Sequence, residues 1–189
     1  WDRLEFRTPW SRQREYDRVR AALSRFLRWH HANPRELLGT EASFSAVVEV
    51  EGDEVRLEGQ VDRLERDADG SLVVVDLKSG RSAPSGPAVK GHVQLGVYQY
   101  AVEAGGEGAP GGAELVQLGL TDDAADAKVQ AQEPHDDDHP VRRQIRDELG
   151  RAAQLLRTET FPARAGEQCR DCAFVSICPI KGAGPVTAT

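Results

Sequence analysis

The sequence predicts an α/β domain with a mixed central β-sheet flanked by helices, followed by a cysteine-rich C-terminal tail. Three observations point there: two segments that alternate with period two, one uninterrupted apolar run at 72–75, and stretches in helical register before and after them. With 189 residues, 39% hydrophobic and 29% charged, the chain suits an ordinary globular domain with a sizeable core. No run of eighteen apolar residues occurs, and Trp1-Asp2-Arg3-Leu4 lacks a signal-peptide pattern, so no membrane partner and a cytoplasmic location are expected. The sequence contains no Met, which leads to the expectation that it is part of a longer polypeptide.

Taken in order, Thr8-Pro9 marks a helix start, and Tyr16, Val19, Leu23 and Phe26 fall on one helical face, expected to be the buried one. Asn33-Pro34 ends that helix, because the residue before Pro is pushed out of the α region. Phe44, Ala46, Val48 and Val50 share one face of a strand over 43–50. After a turn at Gly52-Asp53, a second strand carries Val55, Leu57, Gly59 and Val61 on one face and Gln60 and Asp62 on the other. Asp67 to Gly70 is a turn, and Leu72-Val73-Val74-Val75 reads as a central strand buried on both faces. A Pro/Gly-rich loop (82–87), a helix from about 89 to 103, a flexible loop (105–112), a strand (115–120), an acidic loop (122–138) and a helix (140–157) complete the series. The expected division is a helical N-terminal segment (1–40), a core (41–157) and the cysteine tail (158–189).

Charge is uneven. The net charge of −7 argues against a non-specific nucleic-acid coat, yet residues 1–37 hold nine arginines against five acids. The acids gather in 122–138, as expected of a solvated loop.

The chemistry-bearing feature is Asp76-Leu77-Lys78 at the end of the apolar strand. Residues i and i+2 share a face, so the carboxylate and the ammonium emerge side by side, and charges placed directly after four apolar residues need partners or a task. Asp62 ends the neighbouring strand and can approach Asp76 across a strand spacing of about 5 Å. Converging carboxylates repel and recruit a hard divalent cation such as Mg²⁺ or Mn²⁺, which eases deprotonation of water. A nearby Lys can orient the attacking water or stabilise charge on a phosphoryl group. These parts suffice for phosphodiester hydrolysis, although a bare Asp-x-Lys is far more often a surface ion pair, and the wider sequence context has to decide.

Gly59-Gln60-Val61-Asp62-Arg63-Leu64-Glu65, a turn, and Val74-Val75-Asp76-Leu77-Lys78-Ser79-Gly80 resemble the RecB-like branch of the PD-(D/E)XK nucleases. Gln94-Leu95-Gly96-Val97-Tyr98 resembles that family's Gln-x-x-x-Tyr helix, with Gln94 and Tyr98 on one helical face. The resemblance implies a restriction-endonuclease-like fold and a metal-dependent deoxyribonuclease. Asp62, Asp76 and Lys78 are its expected catalytic residues, Asp62, Asp76 and the Leu77 carbonyl its metal ligands, and Gln94 and Tyr98 its DNA contacts.

Cys169, Cys172 and Cys178 have the spacing C-x2-C-x5-C, an odd, clustered set better suited to a metal than to disulfides. With Phe161-Pro162-Ala163-Arg164 before it, the motif resembles the iron–sulfur staple of helicase-nuclease subunits of the AddB and AdnA/AdnB kind and of Cas4-like nucleases. It implies a 4Fe-4S cluster with a fourth Cys upstream of residue 1, zinc being the alternative metal. No counterpart of the family's upstream His motif is evident, and His30 and His31 read as helix-end histidines. The expected partners are single-stranded DNA ends, a helicase motor in the same polypeptide and a second helicase-nuclease subunit. Two alternatives stay open: a stand-alone Cas4-like nuclease, and an inactive DNA-binding or scaffold module of the same fold.

Overall fold

A computed structural model describes residues 3–6, 8–106, 108–122 and 124–181, and the chain divides into two compact units, 1–150 and 151–189. The elements run α1 (Pro9–Ala32), β1 (Glu36–Val50), β2 (Asp53–Arg66), β3 (Leu72–Lys78), α2 (Gly86–Lys90), α3 (Val93–Gly105), β4 (Pro110–Gln117), β5 (Lys128–Gln132) and α4 (Pro140–Arg157). The last residues of α4 fall in the second unit.

The sheet is mixed, in the order β1-β2-β3-β4-β5, with β3 and β4 parallel and every other pair antiparallel. A parallel pair needs a crossover, which α2 and α3 provide. Alternation along β3 sorts the faces. Val74 packs with Val61, Leu95, Ala113 and Leu115, so even-numbered residues of β3 face α3. Val73 and Val75 pack with Val116 and Trp29, so odd-numbered residues face α1. A third cluster joins Val48, Val50 and Tyr100 to Ile145 of α4. The continuous apolar run is thus a strand covered on both sides.

Several expectations need correction. The strand expected at 43–50 begins at Glu36, with a register irregularity between Leu37 and Gly39 that obscures the alternation. The helix expected from 89 to 103 is two helices broken at Gly91-His92; Ser85 caps the first and His92 the second. The strand expected at 115–120 runs 110–117, beginning inside the supposed flexible loop, and the acidic loop contains β5. The face of α1 is reversed. Tyr16, Val19 and Leu23 are exposed, while the stripe Ser11, Glu15, Arg18, Ala22, Arg25 and Trp29 turns inward. Polar bonds replace apolar burial there: the Arg25 guanidinium, 5% exposed, donates to the carbonyls of Leu118, Leu120, Asp122 and Ala124. At the helix end, Asn33 Nδ2 donates to both oxygens of the fully buried Glu65.

The second unit holds the end of α4 and two 3-10 turns, Glu167–Asp171 and Val175–Ile177, neither of which buries a residue.

Candidate active site

The β2–β3 ladder stops at Arg63↔Val75, so Asp62 and Asp76 are the first residues past the paired region. Asp62 Oδ2 accepts a 2.7 Å hydrogen bond from the Leu77 N–H, which ties its carboxylate to the segment between Asp76 and Lys78. Gly59, three residues earlier, lets the Phe44 ring lie across β2, since a Cβ there would come within 2.6 Å of that ring. Phe44 in turn meets the Tyr98 ring edge-on, with centroids 6.1 Å apart.

Asp76 and Lys78 are in phase with Val74 and face α3. The Asp76 side chain is only 6% exposed, and its Oδ2 is ion-paired with Lys78 Nζ at 2.6 Å. Lys78 is therefore the charge partner of this oxygen, and its ammonium leaves the second lone pair of Oδ2 for another cation. Gln94 continues the chain. Its Nε2 donates to Tyr98 Oη at 2.7 Å and reaches Asp76 Oδ1 at 3.5 Å, and its Oε1 lies 3.5 Å from Lys78 Nζ, both longer contacts at the outer limit of hydrogen bonding.

Asp62, expected to end its strand, lies inside β2, and the catalytic and DNA-contact candidates meet where the β2–β3 ladder stops: Asp76, Lys78, Gln94 and Tyr98 form one series of contacts, and Asp62 joins it through the Leu77 amide. A buried carboxylate, with the carboxylate of Asp62 fixed to the next residue's amide, fits a hard cation that takes oxygen ligands and keeps several waters. No third His, Cys, Asp or Glu completes a metal-holding group among the described residues.

The three cysteines belong to the second unit. Cys169 lies in the first 3-10 turn, Cys172 and Cys178 at the ends of the two turns, and all three are free and partly buried. The Cys169 sulfur accepts from the Gly166 N–H at 3.4 Å. They do not form a metal-holding group by themselves.

Sequence reasoning missed the arginines beside this site. Arg18 Nη2 donates to the Ser79 carbonyl, one residue past Lys78, and Arg25 fixes the chain beyond β4. The signal was present in the spacing of Arg14, Arg18 and Arg25, which places them on one stripe of α1.

With this geometry in place, comparison with known proteins defines the class. The profile of the PD-(D/E)XK nuclease superfamily matches residues 1–179, and the chain belongs to that superfamily. No curated protein matches. Among solved structures, the crystal structure of SSO0001 is similar in fold, with a TM-score of 0.52 and 22% identity, covering 85% of this chain and 68% of that one. Members of the superfamily are generally nucleases that use divalent metals.

Proposed function

We propose that the chain is a divalent-metal-dependent deoxyribonuclease domain in which Asp62 and Asp76 hold Mg²⁺ or Mn²⁺, with the Leu77 carbonyl as a further ligand. The observation that carries this is the buried Asp76 carboxylate, ion-paired with Lys78 where the β2–β3 ladder stops, with the Asp62 carboxylate bonded to the Leu77 N–H between them. A bound divalent cation supplies a Lewis acid for the phosphoryl oxygen and lowers the pKa of water. The protein's own residues position and stabilise. Lys78, 35% exposed, is accessible enough to meet the substrate and places positive charge where the phosphoryl group becomes more negative. The Gln94 amide links Asp76 to Tyr98 and so limits the freedom of the carboxylate, and Gln94 and Tyr98 help place the strand.

The same reading sets this domain beside a helicase motor that delivers single-stranded ends during double-strand-break processing. The cysteine spacing supports it, with Cys169, Cys172 and Cys178 holding a structural 4Fe-4S cluster, or zinc, together with a fourth ligand that these residues do not supply. A motor would also contribute DNA affinity to a chain whose net charge is −7.

The test is cleavage of labelled DNA with and without Mg²⁺ or Mn²⁺. Cleavage should require the cation, and Asp76→Ala should abolish it while the DNA is still bound. Undiminished cleavage by Asp76→Ala would remove the proposal.

A further inference from the structure

The basic N-terminal segment has no role in the chemistry above, yet the structure gathers part of it beside the candidate centre. A cleft of about 340 Å³ lies between α1 and the segments that leave the sheet after β3 and β4; its lining includes Arg14, Arg18, Arg25, Arg81, Glu15 and Asp122. The cleft is built onto the strand end that carries Asp76 and Lys78. The Leu118 N–H donates to the Lys78 carbonyl at 2.8 Å, and the Gly119 N–H donates to the same oxygen at 3.4 Å. A Cβ at Gly119 would collide with the Ser79 carbonyl oxygen, so the two segments lie in close contact. Arg18 closes the other side by donating to Ser79, and Arg81 follows three residues after Lys78.

The arginines differ in what they leave available. Arg25 is committed to backbone carbonyls and to the Asp122 carboxylate, so it shapes the wall. Arg14 lies over the Trp10 ring, 5.2 Å from its centroid. Arg18 and Arg81 converge on one anion, the Glu15 carboxylate, with Arg18 Nη1 3.3 Å from Oε2 and Arg81 Nη2 3.7 Å from Oε1. Two guanidinium groups, each meeting one oxygen of the same carboxylate, suit a phosphodiester, which likewise presents two non-bridging oxygens that share a negative charge. Glu15 and Arg81 are 31% and 60% exposed, so an incoming anion can replace the carboxylate.

We propose that this cleft seats a backbone phosphodiester of the substrate strand on the flank of the catalytic centre, held by Arg18 and Arg81 with Arg14 at the rim, and that Glu15 occupies the seat when no strand is bound. The inference rests on the nuclease reading and deepens it. Since α1 and α3 lie on opposite faces of the sheet, the strand crosses the C-terminal end of β3 to join the seat to the carboxylates. Such a contact fixes the position of the strand and carries no sequence preference.

The test is the salt dependence of binding of a labelled single strand, by fluorescence anisotropy in EDTA. For single strands each neutralised phosphate contributes about 0.7 to the slope of log affinity against log salt, so Arg18→Ala/Arg81→Ala, which empties a seat for one phosphate, should flatten the slope by about 0.7. Arg18→Lys/Arg81→Lys should keep the slope, which separates charge from a structural role. Glu15→Gln should bind more tightly than wild type at low salt. The effect of the Ala pair should be the same for strands with a 5′-hydroxyl and a 5′-phosphate. A loss confined to the 5′-phosphate strand would overturn the backbone seat in favour of a terminal phosphate. An unchanged slope in the Ala pair, with wild type bound and Asp76→Ala unable to cleave, would overturn the seat and leave the nuclease reading standing. A wild-type protein that neither binds nor cleaves DNA would overturn both.

Discussion

Arg25→Ala removes a side chain that holds the chain beyond β4 against α1. Its three guanidinium nitrogens donate to four carbonyls, those of Leu118, Leu120, Asp122 and Ala124, and to Asp122 Oδ1, at 2.7–3.0 Å. A hydrogen bond to a charged group contributes about 1.5–3 kcal/mol, but the bonds share one guanidinium and truncation lets water reach some carbonyls. The expected loss is therefore nearer about 3–5 kcal/mol, the range for deleting one partner of a buried ionic network. At roughly 2–4 °C per kcal/mol for a chain of this size, the melting temperature should fall by about 10 °C. Thermal unfolding followed by circular dichroism measures it. Arg25→Lys should recover only part of the loss, because three donors on a compact ammonium cannot reach the same spread of acceptors. A fall of less than about 2 °C for Arg25→Ala would refute the reasoning, because it would mean the carbonyls find other donors at no cost.

Further outcomes follow from other sites. Gly96→Ala should destabilise by about 1–3 kcal/mol in chemical denaturation, because the new methyl group meets the Ile145 side chain, which is 1% exposed. His135 is held down to about 4 by burial first, then by His139, stacked on it at 4.0 Å, and by Arg142. The unfolded chain takes up this proton near 6.5 and the native chain only near 4, so stability is full above 6.5 and falls as pH drops towards 4. Denaturation midpoints across that window should decline in wild type and decline less in His135→Asn. Lys78→Gln should lower kcat by about 100- to 1000-fold with little change in strand binding, the usual effect of losing one charge-stabilising donor.

What the sequence disclosed depended on whether burial was apolar. The central strand was legible because Leu72 to Val75 is apolar on both faces, and Asp76 and Lys78 stood out by ending that run. β5 was not, because its inward face is made of glutamines. Gln132 Nε2 donates to the carbonyls of Val89, Lys90 and His92, and its Oε1 accepts from Gln99, so amide bonding replaces apolar contact. Val129, the apolar residue of that strand, is exposed. The same substitution misled the reading of α1, where Arg25 bonded to carbonyls took the place a Leu would otherwise fill. The junction of Asp62 with Leu77 depends on where the β2–β3 ladder stops, and no local sequence pattern marks that point.

The central claim is that Asp62 and Asp76 form a cation site, and binding of Mn²⁺ tests it without reference to activity. Free Mn²⁺ can be followed by its electron paramagnetic resonance signal as protein is added. Wild type is expected to remove Mn²⁺ from solution, and Asp76→Asn, whose amide is a neutral and poorer ligand than the carboxylate, is expected to bind at least tenfold more weakly, a difference of about 1.4 kcal/mol. Equal Mn²⁺ binding by wild type and Asp76→Asn would contradict the claim.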